Sequence, residues 1–323
     1  MVEFRTLCST KRFKLGIYLH EHTFFGLNKM IFRKIELNDW GWIANYCRSK
    51  DSRQLNYSFE VLFLWRDICD FEVAEHGGFL FIKTYLECKH NFLFPLGGGD
   101  LGEALRIMES YAEDNGCTFQ LFQVTEGQKR AIEEQFPNMY NFQMSRNEFE
   151  YIFETERLTN LQGKKLQAKR NHINSFEKNN DWTFEEITDN NLFEVMMFSH
   201  QWDNSADISI GSSLTMENMA LMNAIESYVC LQLQGGILRV AGKIVAFAIG
   251  CSLTSDTYLL LFEKADAFVR GSYSMINREF VRRFCQNFRY VNRAEDNGDE
   301  GLRKAKLSYY PDILLEVYTM SKK

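Results

Sequence analysis

The sequence has few of the features that mark linkers, metal sites or membrane spans. Only 3 of its 323 residues are proline, so no proline-rich linker divides the chain. None of its 8 cysteines shows the close pair spacing of a zinc site, and we interpret them as small side chains kept reduced in the cytoplasm. The longest apolar run, residues 244–251, is far shorter than the ~20 residues that span a bilayer. These absences predict a cytoplasmic protein without a metal site or a transmembrane helix.

The overall composition is that of a globular protein large enough for two domains. Hydrophobic residues make up 45% of the chain and charged residues 25%, with a net charge of −6. This balance argues against coating nucleic acid with the whole surface, although it permits a local basic patch. The first 29 residues show no globular pattern, and we expect them to form a poorly ordered N-terminal extension. We expect a first lobe at residues 30–155 and a second lobe at residues 156–323.

The stretch of residues 235–284 organises the second half of the chain. Strands are expected at 235–240, 244–251 and 258–262, followed by a helix that begins near Ser272 and repeats apolar residues at helical spacing. Residues 290–292 then read as a further strand, which we place at the edge of the sheet. Three antiparallel strands, a helix and a returning strand resemble the core of the GNAT-type acyltransferase fold.

The first half repeats this order of elements. The pattern predicts helices at 35–47, 101–115 and 127–136, and strands at 59–64, 79–82, 91–96, 119–124, 140–144 and 149–153. The two halves share almost no aligned residues, so a coincidence of common elements is the alternative. We predict an α+β protein with a tandem GNAT-like fold, in which helices flank two mixed, mostly antiparallel sheets.

Two glycine-containing turns are candidates for binding an anion at a helix N-terminus. In the first half, Asp100 follows three glycines and is expected to cap the helix itself, which would repel an anion. In the second half, the turn Arg270-Gly271-Ser272 has a cation instead. We therefore expect the donor site there, and we predict that Gly271→Asp abolishes donor binding while the fold stays intact. Ordinary helix caps are the alternative for both turns.

A basic segment joins the two halves and is a second candidate for anion binding. Lys165 and Lys169 lie close to Arg170 within residues 161–176, where Arg170 flanks a narrow apolar stripe. A guanidinium in that position needs a partner, which is either an acidic residue of the protein or an anionic substrate group. A solvated lysine face is the alternative for this segment.

The remaining polar candidates lie at the ends of predicted elements. Residues 290–311 combine a strand, an acidic loop and a short helix that carries Arg303 and Lys306. Ligands collect at strand ends in open sheets. The other polar groups at element ends or on inner helix faces are Glu263, Asn277 and Asp203.

Three of these stretches resemble proteins related to the C-terminal domain of phosphatidylglycerol lysyltransferase. The similar segments are 163–173, 262–277 and 295–309, and the resemblance covers mainly residues 150–320. It implies a tandem GNAT fold, shared with the Fem-type aminoacyltransferases, and transfer of an acyl or aminoacyl group from a carrier to an amine or hydroxyl. The chain departs from the lipid-modifying enzymes in lacking a membrane-spanning region, and residues 268–273 do not fit the acetyl-CoA pyrophosphate signature.

We accordingly expect an acyltransferase whose second lobe holds the site. The expected catalytic residues are Lys306, Tyr309, Glu263 and Glu295, with either glutamate as a base. The expected donor-binding residues are Lys165, Lys169, Arg170, Asn171, Asp203, Arg270, Gly271, Ser272, Asn277 and Arg303. No tightly bound cofactor is expected; aminoacyl-tRNA or acyl-CoA would be the co-substrate, and a small molecule, lipid or peptide the acceptor. An acetyl-CoA-dependent N-acetyltransferase and a non-catalytic binding protein are the alternatives.

Overall fold

The computed structural model describes residues 30–48, 52–86, 89–205 and 213–323. Its α-helices are α1 (Trp40–Arg48), α2 (Phe59–Trp65), α3 (Leu101–Asp114), α4 (Glu126–Gln135), α5 (Thr155–Asn160), α6 (Gln167–Asn179), α7 (Leu192–Ser205), α8 (Ser213–Glu226), α9 (Ser272–Phe284) and α10 (Glu300–Leu307). Short 3-10 helices cover Leu37–Asp39, Leu55–Tyr57, Arg146–Glu148 and Lys164–Leu166. The expected N-terminal extension, residues 1–29, lies outside the described residues.

The strands form two sheets. They are β1 (Arg33–Lys34), β2 (Glu72–His76), β3 (Phe79–Leu86), β4 (Lys89–Phe92), β5 (Leu96–Gly97), β6 (Gln120–Thr125), β7 (Tyr140–Met144), β8 (Glu150–Glu154), β9 (Trp182–Glu186), β10 (Gln234–Val240), β11 (Lys243–Ser252), β12 (Thr257–Ala265), β13 (Tyr290–Asn292), β14 (Ile313–Leu315) and β15 (Val317–Lys322). In the first sheet the order is β1-β2-β3-β4-β6-β15-β7, with β5 beside β3; in the second it is β9-β10-β11-β12-β13-β8-β14.

The two sheets have the same topology and exchange one strand each. In both, four antiparallel strands lead to a parallel neighbour, β6 beside β4 and β13 beside β12. The sixth position is taken in the first sheet by β15, from the end of the chain, and in the second by β8, which follows β7 in sequence. These pairings cross the expected division at residue 155. The repeated order confirms the mixed, mostly antiparallel sheets flanked by helices.

Three apolar cores hold the layers together. The largest contains side chains of α1 and α2, of β2 and β3, and of β10 to β12, so it joins both sheets. A second core lies between the second sheet and α5, α6 and α9. A third lies between the first sheet and α3 and α4. Burial of apolar area on both faces of each sheet stabilises the halves as one packed body.

Capping residues define several helix starts, and Asp100 is among them as expected. Asp100 accepts a hydrogen bond from the Glu103 amide at 3.0 Å, and Asp299 accepts one from the Leu302 amide at 2.6 Å. Thr125 and Gln128 form a reciprocal capping box at the start of α4. These side chains satisfy amide groups that have no partner inside the helix.

Three predictions about elements are wrong. Residues 91–96 do not form one strand, because β4 ends at Phe92 and β5 covers Leu96–Gly97. Residues 59–64 form helix α2 and not a strand, because Ser58 caps a helix there and every residue from 59 to 64 is buried, which removes the polar positions that reveal a helical period. Strand β13 is not at the sheet edge, because β8 pairs with it on the side away from β12.

Candidate active site

The site lies where two parallel strands of the second sheet separate. Strand β13 pairs with β12 only from Thr257 to Leu259, although β12 continues to Ala265. The chain after β13 turns away at Arg293. Ligands of open α/β sheets bind in crevices at the ends of parallel strands, and the polar side chains of this lobe converge on this opening.

A buried chain of polar groups connects the two sides of the opening. Glu263 on β12 accepts a hydrogen bond from the side-chain Nδ2 of Asn277, on α9, at 2.8 Å. It accepts another from Arg293 Nη2 at 3.0 Å. Arg293 is 10% exposed. Its Nε and Nη1 groups, together with Asn277 Oδ1, are buried and have no hydrogen-bond partner among the described residues. Buried polar atoms are rarely left unsatisfied, so this set indicates a place for a ligand.

Two lysines and a tyrosine close the same space. Lys169 Nζ on α6 lies 4.0 Å from the centre of the Tyr309 ring, and the Arg293 guanidinium lies 4.9 Å from it. Lys306, near the end of α10, is 7% exposed and donates a hydrogen bond to the Glu295 carbonyl. The Tyr309 hydroxyl lies 3.4 Å from the Ser274 hydroxyl. The Tyr309 ring thus attracts both Lys169 and Arg293, although the two positive charges repel each other.

Burial changes the proton affinity of these groups. Burial lowers the pKa of Lys169 to about 8, with Arg293 acting in the same direction and Glu263 opposing it. Burial likewise lowers the pKa of Lys306 to about 8, against the attraction of Glu295. The pKa of Tyr309 is raised by burial. The lowered pKa of each lysine lies closer to neutral pH than that of an exposed lysine, which suits proton transfer.

The four expected catalytic residues lie in one cluster. Glu263 and Tyr309 contact Arg293, and Lys306 contacts the backbone of Glu295, whose Oε2 is buried without a partner. Asn277 and Lys169, expected to bind the donor, belong to the same cluster. Their individual roles stay predictions.

Other expected donor-binding residues lie outside this cluster. Lys165 is exposed and lies 5.1 Å from the Tyr310 ring centre, and Asn171 and Arg270 are also exposed. Arg303 binds the fully buried Asp296 at 2.6 Å. The side chain of Asp203, on α7, lies outside the described residues.

Arg170 has backbone partners among the described residues. Its guanidinium donates to the backbone carbonyls of Leu161 and Gly163, the latter at 2.8 Å. The expected acidic partner is therefore replaced by these carbonyls, while binding of a substrate group by Arg170 stays a prediction. Arg170 holds the turn that precedes α6.

The turn at Gly271 is explained by packing. Gly271 has φ +90°, and a Cβ atom there would lie 2.5 Å from the His172 carbonyl oxygen of α6. Ser272 is buried and donates to the Asp266 carbonyl at 2.8 Å. The expectation that Gly271→Asp leaves the fold intact is wrong, because any side chain there meets backbone and a strained φ. Donor binding by Gly271 and Ser272 stays a prediction.

Arg293 was not among the expected site residues. Its sequence signal is a cation placed directly after a strand that pairs in parallel, at the position where such sheets bind ligands. Its burial and its ion pair with Glu263 depend on contacts between residues 30 positions apart, which the local pattern does not show.

Among the described residues, no group of three or more metal-ligating side chains comes together. Within the same ranges, no helix combines the length and apolar character that crossing a bilayer requires.

Comparison with known proteins identifies the family. The family model for the C-terminal region of phosphatidylglycerol lysyltransferase matches residues 48–321. The structure of a conserved protein of unknown function from Bacteroides thetaiotaomicron is 35% identical, with a TM-score of 0.87 over 91% of this chain and 100% of that one. The structure of L-PGS from Bacillus licheniformis is 17% identical, with a TM-score of 0.60 over 88% of this chain and 91% of that one.

A curated relative matches about half of the chain. A protein of Mycoplasmoides gallisepticum is 27% identical over 175 residues, which are 52% of this chain and 54% of that protein. The match thus spans about half the length of that relative. With the repeated sheet topology, the structural likeness confirms a fold of two GNAT-like units.

Proposed function

Because the chain belongs to the family of phosphatidylglycerol lysyltransferase C-terminal domains, we propose that it transfers an aminoacyl group from an ester carrier to a hydroxyl or amine. Family and fold support an acyltransferase of aminoacyltransferase type. The choice of an aminoacyl group over a simple acyl group rests on the polar atoms in the opening between β12 and β13.

The observation that carries this proposal is the set of buried atoms without partners. Arg293 offers two N–H donors, while Asn277 Oδ1 and Glu295 Oε2 are acceptors. An α-aminoacyl ester has a carbonyl oxygen for such donors and an ammonium group for such acceptors. An acetyl group has the carbonyl oxygen alone and would leave the acceptors unsatisfied, at a cost of roughly 1–3 kcal/mol for each.

The cluster contains the groups that ester aminolysis or transesterification requires. The acceptor attacks the ester carbonyl, the bond to the carrier oxygen breaks, and the acceptor proton passes to that oxygen. Arg293 and protonated Lys306 support the negative charge that develops on the carbonyl oxygen. Glu295 is suited to accept the proton and return it to the leaving group. Glu263 is bound by Arg293 and Asn277, so it holds these two residues in place.

Exposed cations before α6 and α9 suit a polyanionic carrier. Lys164 and Lys165 are exposed on the 3-10 helix before α6, and Arg270 is exposed on the turn before α9. These cations support aminoacyl-tRNA as the donor. Acyl-CoA is the competing donor.

The experiment compares donors and tests Arg293. The protein is incubated with a candidate acceptor and with either tRNA carrying labelled amino acids or labelled acetyl-CoA, and label in the acceptor is measured. We expect label from aminoacyl-tRNA, and a reduction of roughly 100-fold in Arg293→Gln. Arg289→Gln is the matched control, because Arg289 is 67% exposed and precedes the same strand. Transfer from acetyl-CoA alone, or full activity of Arg293→Gln, would contradict the proposal.

A further inference from the structure

Glu150 is a fully buried carboxyl group that the proposed reaction does not use. It lies in the middle of the molecule on β8, the strand that the first half contributes to the second sheet. Glu150 Oε2 accepts a hydrogen bond from the Leu55 amide at 3.0 Å and another from Asn292 Nδ2. A fully buried carboxyl group is rare unless it has a specific partner.

Asn292 connects Glu150 to the bend that carries Arg293. Asn292 Nδ2, which donates to Glu150, also donates to the Arg53 carbonyl at 2.8 Å. Asn292 Oδ1 accepts a hydrogen bond from the backbone amide of Ala294 at 2.8 Å. Ala294 has φ +56°, a conformation that costs a residue with a Cβ atom free energy. The Asn292 side chain therefore holds a strained bend, and Arg293 is the residue inside it.

The backbone of this bend is also tied to β8. The Arg293 amide donates to the Tyr151 carbonyl at 2.9 Å, and the Tyr151 amide donates to the Ala294 carbonyl at 3.2 Å. Glu150 is thus adjacent in sequence to the residue that pairs with the bend, and its carboxyl group contacts the side chain that shapes it. Removing its acceptor oxygens would leave two buried donors, of Leu55 and Asn292, without that partner.

We infer that Glu150, acting through Asn292, is a positioning residue that fixes the direction of Arg293 and Glu295 into the active site. The role is mechanical and needs an acceptor oxygen at position 150. The groups whose charge reaches Glu150 are Glu295 and Lys306. Burial, reinforced by Glu295, raises the pKa of Glu150 to about 8. Glutamine is therefore a close substitute, while methionine has similar size and no acceptor oxygen.

The test compares Glu150→Gln, Glu150→Met and Asn292→Leu, with Glu60→Met as the matched control. Glu60 is also buried, but its partner is Ser58, the residue that caps α2. The direct readout is the ¹⁵N signal of Arg293 Nε in the folded protein, assigned by its loss in Arg293→Lys. We expect it to move in Glu150→Met and Asn292→Leu, and to stay near the parent position in Glu150→Gln and Glu60→Met. This readout needs no activity, so it decides the inference even if the proposed function fails.

Transfer activity gives a second readout that rests on the proposed function. We expect a loss of at least about tenfold in Glu150→Met, rescue in Glu150→Gln, and a double variant of Glu150→Met with Asn292→Leu that loses no more than either single variant. An unmoved Arg293 signal in Glu150→Met, or an equal movement in Glu60→Met, would overturn the inference. Where Glu150→Met does not fold, failure of Glu150→Gln to keep the parent signal would overturn it as well.

Discussion

The two lobes share one topology but differ in how they treat polar groups at the equivalent opening. In the first lobe, Asp100 caps its helix and Gly99 lies against the Phe79 ring, where a Cβ atom would approach to 2.5 Å. Buried Lys83 is fully engaged by Glu72 at 2.7 Å and the Tyr111 hydroxyl at 3.0 Å. Within described residues 72–145 every buried side-chain polar atom has a partner, whereas Gln54 Oε1, Glu148 Oε2 and Thr155 Oγ1, elsewhere in the first lobe, have none.

The second lobe keeps buried donors and acceptors without partners. Arg293, Asn277 and Glu295 all contribute such atoms, within a cluster that also contains two lysines of lowered pKa. Unsatisfied groups lower stability, so we interpret the set that converges at the opening of the second lobe as a ligand-binding arrangement. We therefore propose that the second lobe carries the chemistry and that the first lobe supports it.

The largest expected effect concerns the pH dependence of stability at Glu150. The pKa of Glu150 is about 8 in the folded state and 4.5 in the unfolded chain. The folded protein therefore holds this proton more tightly than the unfolded chain does, and the free energy of unfolding falls as pH rises from about 4.5 through 8. Glu150→Gln removes this loss, which amounts to roughly 5 kcal/mol. Urea unfolding of the parent protein and of Glu150→Gln, each at pH 5 and pH 9, measures this pH dependence of the free energy of unfolding. Equal pH dependence in parent and variant would show that Glu150 is ionised in the folded state.

A smaller effect is expected where the second lobe packs α6 against α9. Gly271→Ala is expected to destabilise the protein by about 3 kcal/mol, because φ is +90° and the new Cβ meets the His172 carbonyl oxygen. Gly163→Ala is the control: its φ is +87° but its Cβ would enter open space, so about 1 kcal/mol is expected. Thermal unfolding of both variants measures the contribution of the close contact. Equal losses would assign the whole effect to φ.

The lysines give a matched comparison of the two lobes. Lys306 and Lys83 are 7% and 6% exposed. Lys306→Met is expected to reduce transfer roughly 100-fold without loss of stability, because a cation that is costly to bury is removed. Lys83→Met is expected to leave transfer per folded molecule unchanged and to lower stability by about 1–3 kcal/mol, since Glu72 loses its partner. Loss of transfer in Lys83→Met with full transfer in Lys306→Met would assign the chemistry to the first lobe.

The smallest expected effect concerns carrier binding. Lys165→Gln is expected to weaken tRNA binding a few-fold and to reduce the slope of log affinity against log salt by about 1. Lys129→Gln, on α4 of the first lobe, is expected to change neither quantity, although Lys129 also lies near an aromatic ring, that of Tyr318 at 4.6 Å. Fluorescence anisotropy at several salt concentrations measures both. Identical slopes in parent and Lys165→Gln would assign Lys165 to structure.

Much of the fold could be predicted because local signals agree with it. The strand at 140–144 and the helix at 272–284 have the expected bounds, since apolar spacing and turn residues point the same way. Helix α2 could not be predicted, because full burial hides its period. The exchange of β8 and β15 could not be predicted either, since each strand pairs with strands of the other half and the local pattern does not show such pairing.

The site was predictable in its residue types more than in its geometry. Lys306, Tyr309, Glu263 and Asn277 lie at element ends or on inner helix faces, which local patterns reveal. The Arg293 bend depends on Glu150 and Asn292, which are 142 positions apart, and no local signal connects them. Gly271 was misread because a glycine required for packing and one required for anion binding look alike in sequence.

The most direct test of whether the second lobe binds an aminoacyl donor is calorimetry with a stable donor analogue. Adenosine carrying an alanyl group through a 3′-amide is compared with the propionyl analogue, which lacks only the α-amine. The account predicts that the parent protein binds the alanyl analogue roughly tenfold or more tightly than the propionyl one, and that Arg293→Gln weakens both. Equal affinity for the two analogues, or undiminished binding by folded Arg293→Gln, would contradict it.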